Sequence, residues 1–336
     1  MPIVKLLPRN FQFECVSGET VFEGASRQGI RFPVSCENGV CHICKGTLLS
    51  GRCFIPHKGY VDAIDNDLIL CKAVPDTDCE IEINGVLGPG EIALRTFACQ
   101  VEAVESINHD VYRVVLRPPA GKRVEFHAGQ YLSVLMDDRD PSFFSIASAP
   151  TLPGEASNRN IELHIQAAEG WESATAIIGY IKNHPVLKVQ LPFGKACITG
   201  MPKQPMVLVA AGTGFAQMQS IIEHALELNP EQKIALYWGG RKADDLYLLE
   251  QPKIWQEKYP NFTYRTTSGD VEDNEWPGHH EQLFNTVLQD EHNLAECQVY
   301  ASGSPEMVYA TMDAFIEQGM PVDNFHSDVL EYAPRD

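Results

Sequence analysis

The segment SCENGVCHICKG, Ser35 to Gly46, gathers three thiols, Cys36, Cys41 and Cys44, in a C-x4-C-x2-C spacing. A disulfide takes two thiols, a catalytic thiolate one, and a tetrahedral zinc site four ligands, commonly as two close C-x2-C pairs. The second close pair is missing here, which weighs against zinc. A Rieske arrangement would place histidines in C-x-H and C-x2-H, whereas His42 directly follows Cys41 and reads as a bystander. The spacing that remains is that of plant-type [2Fe-2S] sites, in which a fourth cysteine arrives later in the chain. Cys53 comes too soon for the chain to leave the loop and return as a strand, and Cys79 begins the alternating run CEIEI as a packing residue. Cys71 is therefore the expected fourth ligand. Gly39 supplies the backbone freedom that lets N–H groups turn toward the sulfurs. Cys15, Cys53, Cys79, Cys99, Cys197 and Cys297 read as buried or surface residues without a role.

A second candidate lies in the C-terminal third. Gly212-Thr213-Gly214 follows the apolar run MVLVAA and opens a helix, so a dinucleotide phosphate can approach bare backbone there. A three-residue match is weak alone, and the strand before it and helix after it are what raise it. In EGWES, Gly170 and Ser173 stand at the start of the helical segment SATAIIGYIKN, where free N–H groups can receive a pyrophosphate. By contrast, His279-His280 has no further ligands nearby in sequence, DVEDNE (270–275) reads as a solvated acidic loop, and Trp255 as the apolar side of a helix.

These residues need three kinds of scaffold. The 336 residues, with 44% hydrophobic content, exceed one ordinary core and suit two or three domains. Residues 1–94 read as a small β-rich unit with one helix, introduced by Thr20 and Glu23 in capping-box spacing; NGVLGPGE (84–91) reads as its linker. Residues 95–201 carry six short strand patterns with Pro and Gly turns, interrupted by one helix, which predicts an antiparallel barrel. Residues 202–336 alternate strand and helix, with DDLYLLEQ as the helix after the second strand, and this predicts a parallel sheet covered on both faces. The net charge of −19 would repel a nucleic-acid backbone and favours a basic docking surface on a protein partner. No run of eighteen apolar residues and no leader pattern is present, and ten cysteines without secretory signals suggest reduced thiols, so neither a nucleic-acid nor a membrane partner is expected and the expected setting is cytoplasmic.

Taken in order, these segments resemble the single-chain iron–sulfur flavoprotein reductases. Residues 1–94 resemble a plant-type ferredoxin domain of the β-grasp fold. AGQYLSVLMDD, FFSIAS and IELHI resemble the six-stranded flavin-binding barrel of the ferredoxin reductase superfamily, and VLVAAGTGFAQMQSII, LYWGGR and VYASGSPEM its nicotinamide-binding α/β domain. The ordered set covers essentially the whole chain. It is similar to the reductases of benzoate dioxygenase and phenol hydroxylase and, through YWGGR and NFHSDVLEY, to CDP-6-deoxy-3,4-glucoseen reductase; the last two domains are similar to NAD(P)H:flavin oxidoreductase.

The resemblance implies a [2Fe-2S] cluster, FAD and NADH, with electrons passing to a redox protein acceptor such as a deoxysugar dehydratase or an oxygenase component. The chemistry is coherent: a hydride carries two electrons, a cluster accepts one, and a flavin can hold none, one or two. By resemblance Phe144 packs on the flavin, the Ser145 hydroxyl lies near its N5, and Ile146, His164 and Ile165 supply contacts along the barrel strands. Ser302, Gly303 and Met307 fall where the family keeps small or sulfur-bearing residues near the nicotinamide, and Phe325 and Tyr332 offer aromatic cover for the flavin. The family's phosphate-binding arginine is Ser142 here, which predicts looser flavin, with Arg139 as a substitute. Gly269, Asp270 and Glu272, at the end of the third strand of the last domain, predict NADH over NADPH, although Arg265 stands close enough to reach back. Alternative readings are a free-flavin or ferric reductase, and a flavin-poor redox-sensing or interaction module.

Overall fold

The computed structural model describes residues 1–63, 66–137, 139–168, 170–268, 279–290 and 292–335. They form two compact units, Met1–Ala93 and Leu94–Asp336.

The first unit contains β1 (Ile3–Leu7), β2 (Phe11–Glu14), α1 (Val21–Arg27), β3 (Lys45–Ser50), β4 (Arg52–Ile55), β5 (Gly59–Asp62), β6 (Asn66–Ile69), β7 (Val74–Pro75) and β8 (Cys79–Glu82). Its main sheet has the order β2-β1-β8-β3-β6, with β1 parallel to β8, and β5-β4-β7 forms a smaller sheet. The capping box is present at α1: the Glu23 N–H donates to Thr20 Oγ1 and the Thr20 N–H to Glu23 Oε2. Val21 and Ala25 on that helix join Val4, Leu6 and Ile81 of the sheet in one core. The segment expected as a linker is fastened to this unit. Leu87 and Arg31 exchange two backbone hydrogen bonds of 2.7 and 2.8 Å, and Val86 is buried. Its glycines mark turns along a packed segment, which the sequence pattern does not distinguish from a free linker.

The second unit begins with β9 (Arg95–Ser106), β10 (Val111–Arg117), β11 (Tyr131–Leu135), β12 (Ser142–Ser145), β13 (Ile161–Gln166), α2 (Glu172–Asn183) and β14 (Val186–Phe193). The six strands are antiparallel in the order β12-β11-β14-β9-β10-β13. A bridge between Ile146 and Leu163 brings the two edges together, so the barrel is nearly closed. There follow β15 (Met206–Ala211), α3 (Phe215–Leu228), β16 (Ile234–Gly240), α4 (Glu250–Lys258), β17 (Phe262–Ser268), α5 (His279–Gln289), β18 (Gln298–Ser302), α6 (Pro305–Glu317), β19 (Phe325–His326) and α7 (Val329–Tyr332). The sheet is parallel throughout, in the order β17-β16-β15-β18-β19. The chain moves from β15 outward to β17 and then returns to the other side at β18. The switch point is therefore at the carboxyl ends of β15 and β18, where an open α/β sheet leaves a crevice for a ligand. Among the described residues no helix is long and apolar enough to cross a membrane.

One predicted helix is displaced. DDLYLLEQ forms a short turn, and the helix begins only at Glu250. Asp245 accepts hydrogen bonds from the N–H groups of Arg241 (2.9 Å) and Lys242 (3.1 Å), closing the turn before a helix can start.

Barrel and parallel sheet are joined by polar contacts, those of Gln217 fully buried. The side-chain amide of Gln217 on α3 donates to the Gly129 and Ala196 carbonyls and to Asp328 Oδ2. Arg159 pairs with both Glu155 and Glu227, and Ser220 Oγ donates to the Ser148 carbonyl at 2.8 Å. Burial pushes the Asp328 carboxyl up to about 7, with Glu331 adding to the effect and the Ala196 N–H and Gln217 opposing it. Its folded value lies above the unfolded one, so the folded protein keeps a proton that the unfolded chain releases. The stabilisation is complete below about pH 4 and is lost as pH rises through 7. Asp328 thus contributes a downward slope to denaturation midpoints measured from pH 4 to 8, against the upward contribution of His224, His292 and His326, whose values burial lowers. Asp328→Asn should flatten that slope, leaving a remainder from Glu223, which burial also raises to about 7. An unchanged slope in the variant would exclude Asp328 as its source.

Candidate functional site

At the switch point a cavity of about 700 Å3 opens between the barrel and the parallel sheet of the second unit. The barrel contributes Phe143, Phe144, Ser145 and His164, and the sheet contributes Gly212–Gly214 and Ser302–Ser304. Gly212–Gly214 forms a single 3-10 turn that runs directly into α3, so its N–H groups face the cavity end of a helix. The close packing there depends on glycine: a Cβ on Gly214 would stand 2.2 Å from the Ser302 carbonyl oxygen. A β-carbon would force β18 away from β15 just where the two strand ends define the crevice.

His164 is held by its ring on both sides. Nε2 meets Glu162 Oε1 and Nδ1 meets the Tyr247 hydroxyl, each at 2.9 Å. Burial pushes Glu162 up, but His164 and Arg113 outweigh it and hold the carboxyl down at about 2. An ionised carboxylate only accepts, so Nε2 donates to Glu162, while Nδ1 shares the second hydrogen bond with the Tyr247 hydroxyl. His164 thus does more than supply strand backbone: its side chain links barrel to nucleotide domain at the cavity wall. Tyr247 escapes a sequence reading because its segment has a helical pattern. Trp238 is also functional in placement, since its Nε1 donates to the Gly212 carbonyl at 3.0 Å while its ring stacks on Phe215.

Two cations, Arg241 and Lys242, reach the same cavity from the end of β16. The run WGGRK, which ends the second parallel strand and leads out of it, is the sequence signal for them. Asp110 lines the opposite wall: Oδ2 accepts from Gln166 Nε2 at 2.7 Å, and the buried Oδ1 has no hydrogen-bond partner, with His109 Nε2 3.6 Å away.

Other expected contacts do not line the cavity, although Trp171, between Gly170 and Ser173 at the start of α2, does. Ile146 and Ile165 are core residues, 0% and 2% exposed, and offer a ligand only their backbone. Gly170 precedes α2 with open space around it, and Ser173 is exposed in the first turn of that helix. Met307 is 1% exposed and packs in the α6 core against the space that a Gly303 Cβ would fill. Phe325 is buried in the same core, and Tyr332 is 62% exposed on α7, away from the cavity lining. Ser142 opens β12 opposite Val134. Gly269, Asp270 and Glu272 lie outside the described residues. Arg265, near them in sequence, pairs with Asp290 at 2.5 Å.

In the first unit the four expected thiols come as two pairs. The Cys41 N–H donates to Cys36 Sγ at 3.3 Å, and the Cys41 backbone and thiol, with Asn38 and Val40, hold Cys36 down to about 6. Cys71 is pushed up to about 11 by burial and by the neighbouring Cys44 thiol. Among the described residues no three of His, Cys, Asp or Glu converge on one ion. Two thiols apiece for two irons fits this donor set, and four on one zinc does not. The loop between them runs through left-handed backbone at Glu37, Gly39 and His42.

Residues 4–76 match the 2Fe-2S iron-sulfur cluster binding domain family, and residues 208–313 the oxidoreductase NAD-binding domain family. The chain is 30% identical over 328 residues to terephthalate 1,2-dioxygenase reductase component 2 of a Comamonas species, covering 96% of this chain and 95% of that protein. It is 29% identical over 331 residues to the CDP-6-deoxy-L-threo-D-glycero-4-hexulose-3-dehydrase reductase of Yersinia pestis, covering 97% and 98%. The Amycolatopsis cytochrome P450 reductase GcoB shares the fold, with a TM-score of 0.62 at 24% identity over 98% of both chains.

The contact at Gly214 can be tested directly. Gly214→Ala should raise the KM for NADH by about tenfold, equivalent to about 1.4 kcal/mol, while the visible spectrum of the purified protein stays unchanged. An unaltered KM would show that the close approach to Ser302 does not shape the nucleotide site.

Proposed function

The chain belongs to the single-chain iron–sulfur flavoprotein reductases, and we propose that its acceptor is an oxygenase component or a deoxysugar dehydrase. It uses NADH, FAD and a [2Fe-2S] cluster. The two curated relatives named above, one serving a dioxygenase and one a dehydrase, support this choice of acceptor. The observation that carries the reading is the single cavity onto which the barrel's Phe144 and Ser145 and the sheet's Gly212–Gly214 and Ser302 all face. The chemistry a bound flavin supplies there is the conversion of a two-electron hydride donor into a source of single electrons for the cluster.

The chain's own residues divide the work. Phe144 offers a ring face, and the Ser145 hydroxyl offers a hydrogen bond at the point where the hydride arrives. Ser302 and Gly303 keep the floor of the crevice low enough for a flat ring to lie on it. Arg241 and Lys242 meet phosphate charge, and the start of α2 at Gly170 to Ser173 receives a pyrophosphate. Cys36, Cys41, Cys44 and Cys71 hold the cluster. Functional boundaries follow at 1–94, 95–201 and 202–336, and reduced thiols fit a cytoplasmic setting.

Cys71→Ser should abolish the cluster's visible absorption and lower NADH-driven cytochrome c reduction at least tenfold, while ferricyanide reduction continues. Undiminished cytochrome c reduction in the variant, or free flavin reduced faster than cytochrome c by the unaltered protein, would favour the free-flavin reading. Separately, a flavin titration of Ser142→Arg should show affinity about tenfold tighter, since a charged hydrogen bond replaces a neutral one. Stoichiometric flavin in the unaltered protein and no gain in the variant would make Ser142 neutral.

A further inference from the structure

Cys53 and Cys79, both without a part in the site above, meet each other in the core of the first unit. Their sulfurs are 3.7 Å apart, and the residues are 0% and 2% exposed. Several contacts hold the two strands in this relation. Arg52 pairs with the Asp76 carboxylate, its N–H donates to Thr77 Oγ1 at 2.9 Å, and its carbonyl accepts from the Asp76 N–H at 2.9 Å. Gly51 lets the chain pass close by: a Cβ there would lie 2.0 Å from the Asp78 carbonyl oxygen and 2.9 Å from Cys79 Sγ. Cys15 is a rival thiol in the same core, close enough to act electrostatically on Cys53.

We propose that Cys53 and Cys79 are a reversible redox pair that closes to a disulfide when hydrogen peroxide reaches the first unit. Either sulfur attacks the O–O bond, water leaves, and a sulfenic acid forms; the second sulfur then displaces its oxygen, the S–S bond forms and a second water leaves. Two thiols are oxidised by two electrons, the peroxide is reduced by two, and both thiol protons end in water. The sulfurs need only close from contact to bonding distance. Burial restricts the oxidant to molecules of about the size of hydrogen peroxide and keeps bulky thiol reagents out of the folded protein. The bridge would enclose β4 through β7 and the segment bearing Cys71, so it would hold that segment in place when oxidation strips the cluster.

The experiment treats the full chain, with its cofactors, with hydrogen peroxide, then unfolds it in an alkylating reagent and maps the peptides by mass spectrometry. The expected product is one cross-link joining the Cys53 and Cys79 peptides, short of two hydrogens and reopened by a dithiol. The melting midpoint of the first unit should rise by roughly 10 °C in the cross-linked form. Cys79→Ser should lose both effects, and the map of the unaltered chain decides the matter even if that variant does not fold. Alkylated Cys53 and Cys79, single-sulfur oxidation of either, or a bridge from either to Cys15 or to a cluster cysteine would overturn the proposal.

Discussion

The crevice exists because the barrel and the parallel sheet are held in one relation, and the amide of Gln217 is central to that constraint. Buried on α3, it donates to two barrel carbonyls and to Asp328 in the C-terminal segment, so one side chain ties three parts of the chain together. An amide is suited to this because it satisfies buried acceptors without carrying charge into the interior. The Arg159–Glu227 pair and the His164–Tyr247 bond set the same relation farther along the seam. If the seam shifts, Ser145 and Ser302 no longer face one another across a common space.

The two units solve different problems with local chemistry. In the first, short-range backbone geometry brings Cys36 and Cys41 together with N–H groups turned toward sulfur, while the fold of the unit brings Cys71 to Cys44. In the second, phosphate and ring recognition depends on surfaces from separate layers, so packing between layers matters more than any one loop. This division explains why cysteine spacing was informative by itself, whereas Gly212-Thr213-Gly214 needed the sheet around it.

Several elements were legible because their signals are local. The capping box at Thr20 and Glu23 and the six barrel strands are read from neighbours a few residues apart. The strand–helix alternation from Met206 onward is legible in the same way. Two readings went differently. NGVLGPGE has the composition of a linker, yet Leu87 pairs with Arg31, a contact set by the fold of the unit. DDLYLLEQ has helical periodicity, yet Asp245 closes a turn and Tyr247 is committed to His164.

From the sequence alone came the cysteine spacing that calls for a two-iron cluster, the order of three modules, and the strand–turn–helix context of the nucleotide loop. Each of these depends on residues close in the chain, whose spacing limits what they can do wherever the unit is placed. Only the tertiary structure decided that the cavity is lined by both barrel and sheet, that Arg241, Lys242 and Asp110 reach it, and that Cys53 faces Cys79. Those contacts join residues from 26 to more than a hundred positions apart, and they arise from packing and strand order, which no local pattern encodes.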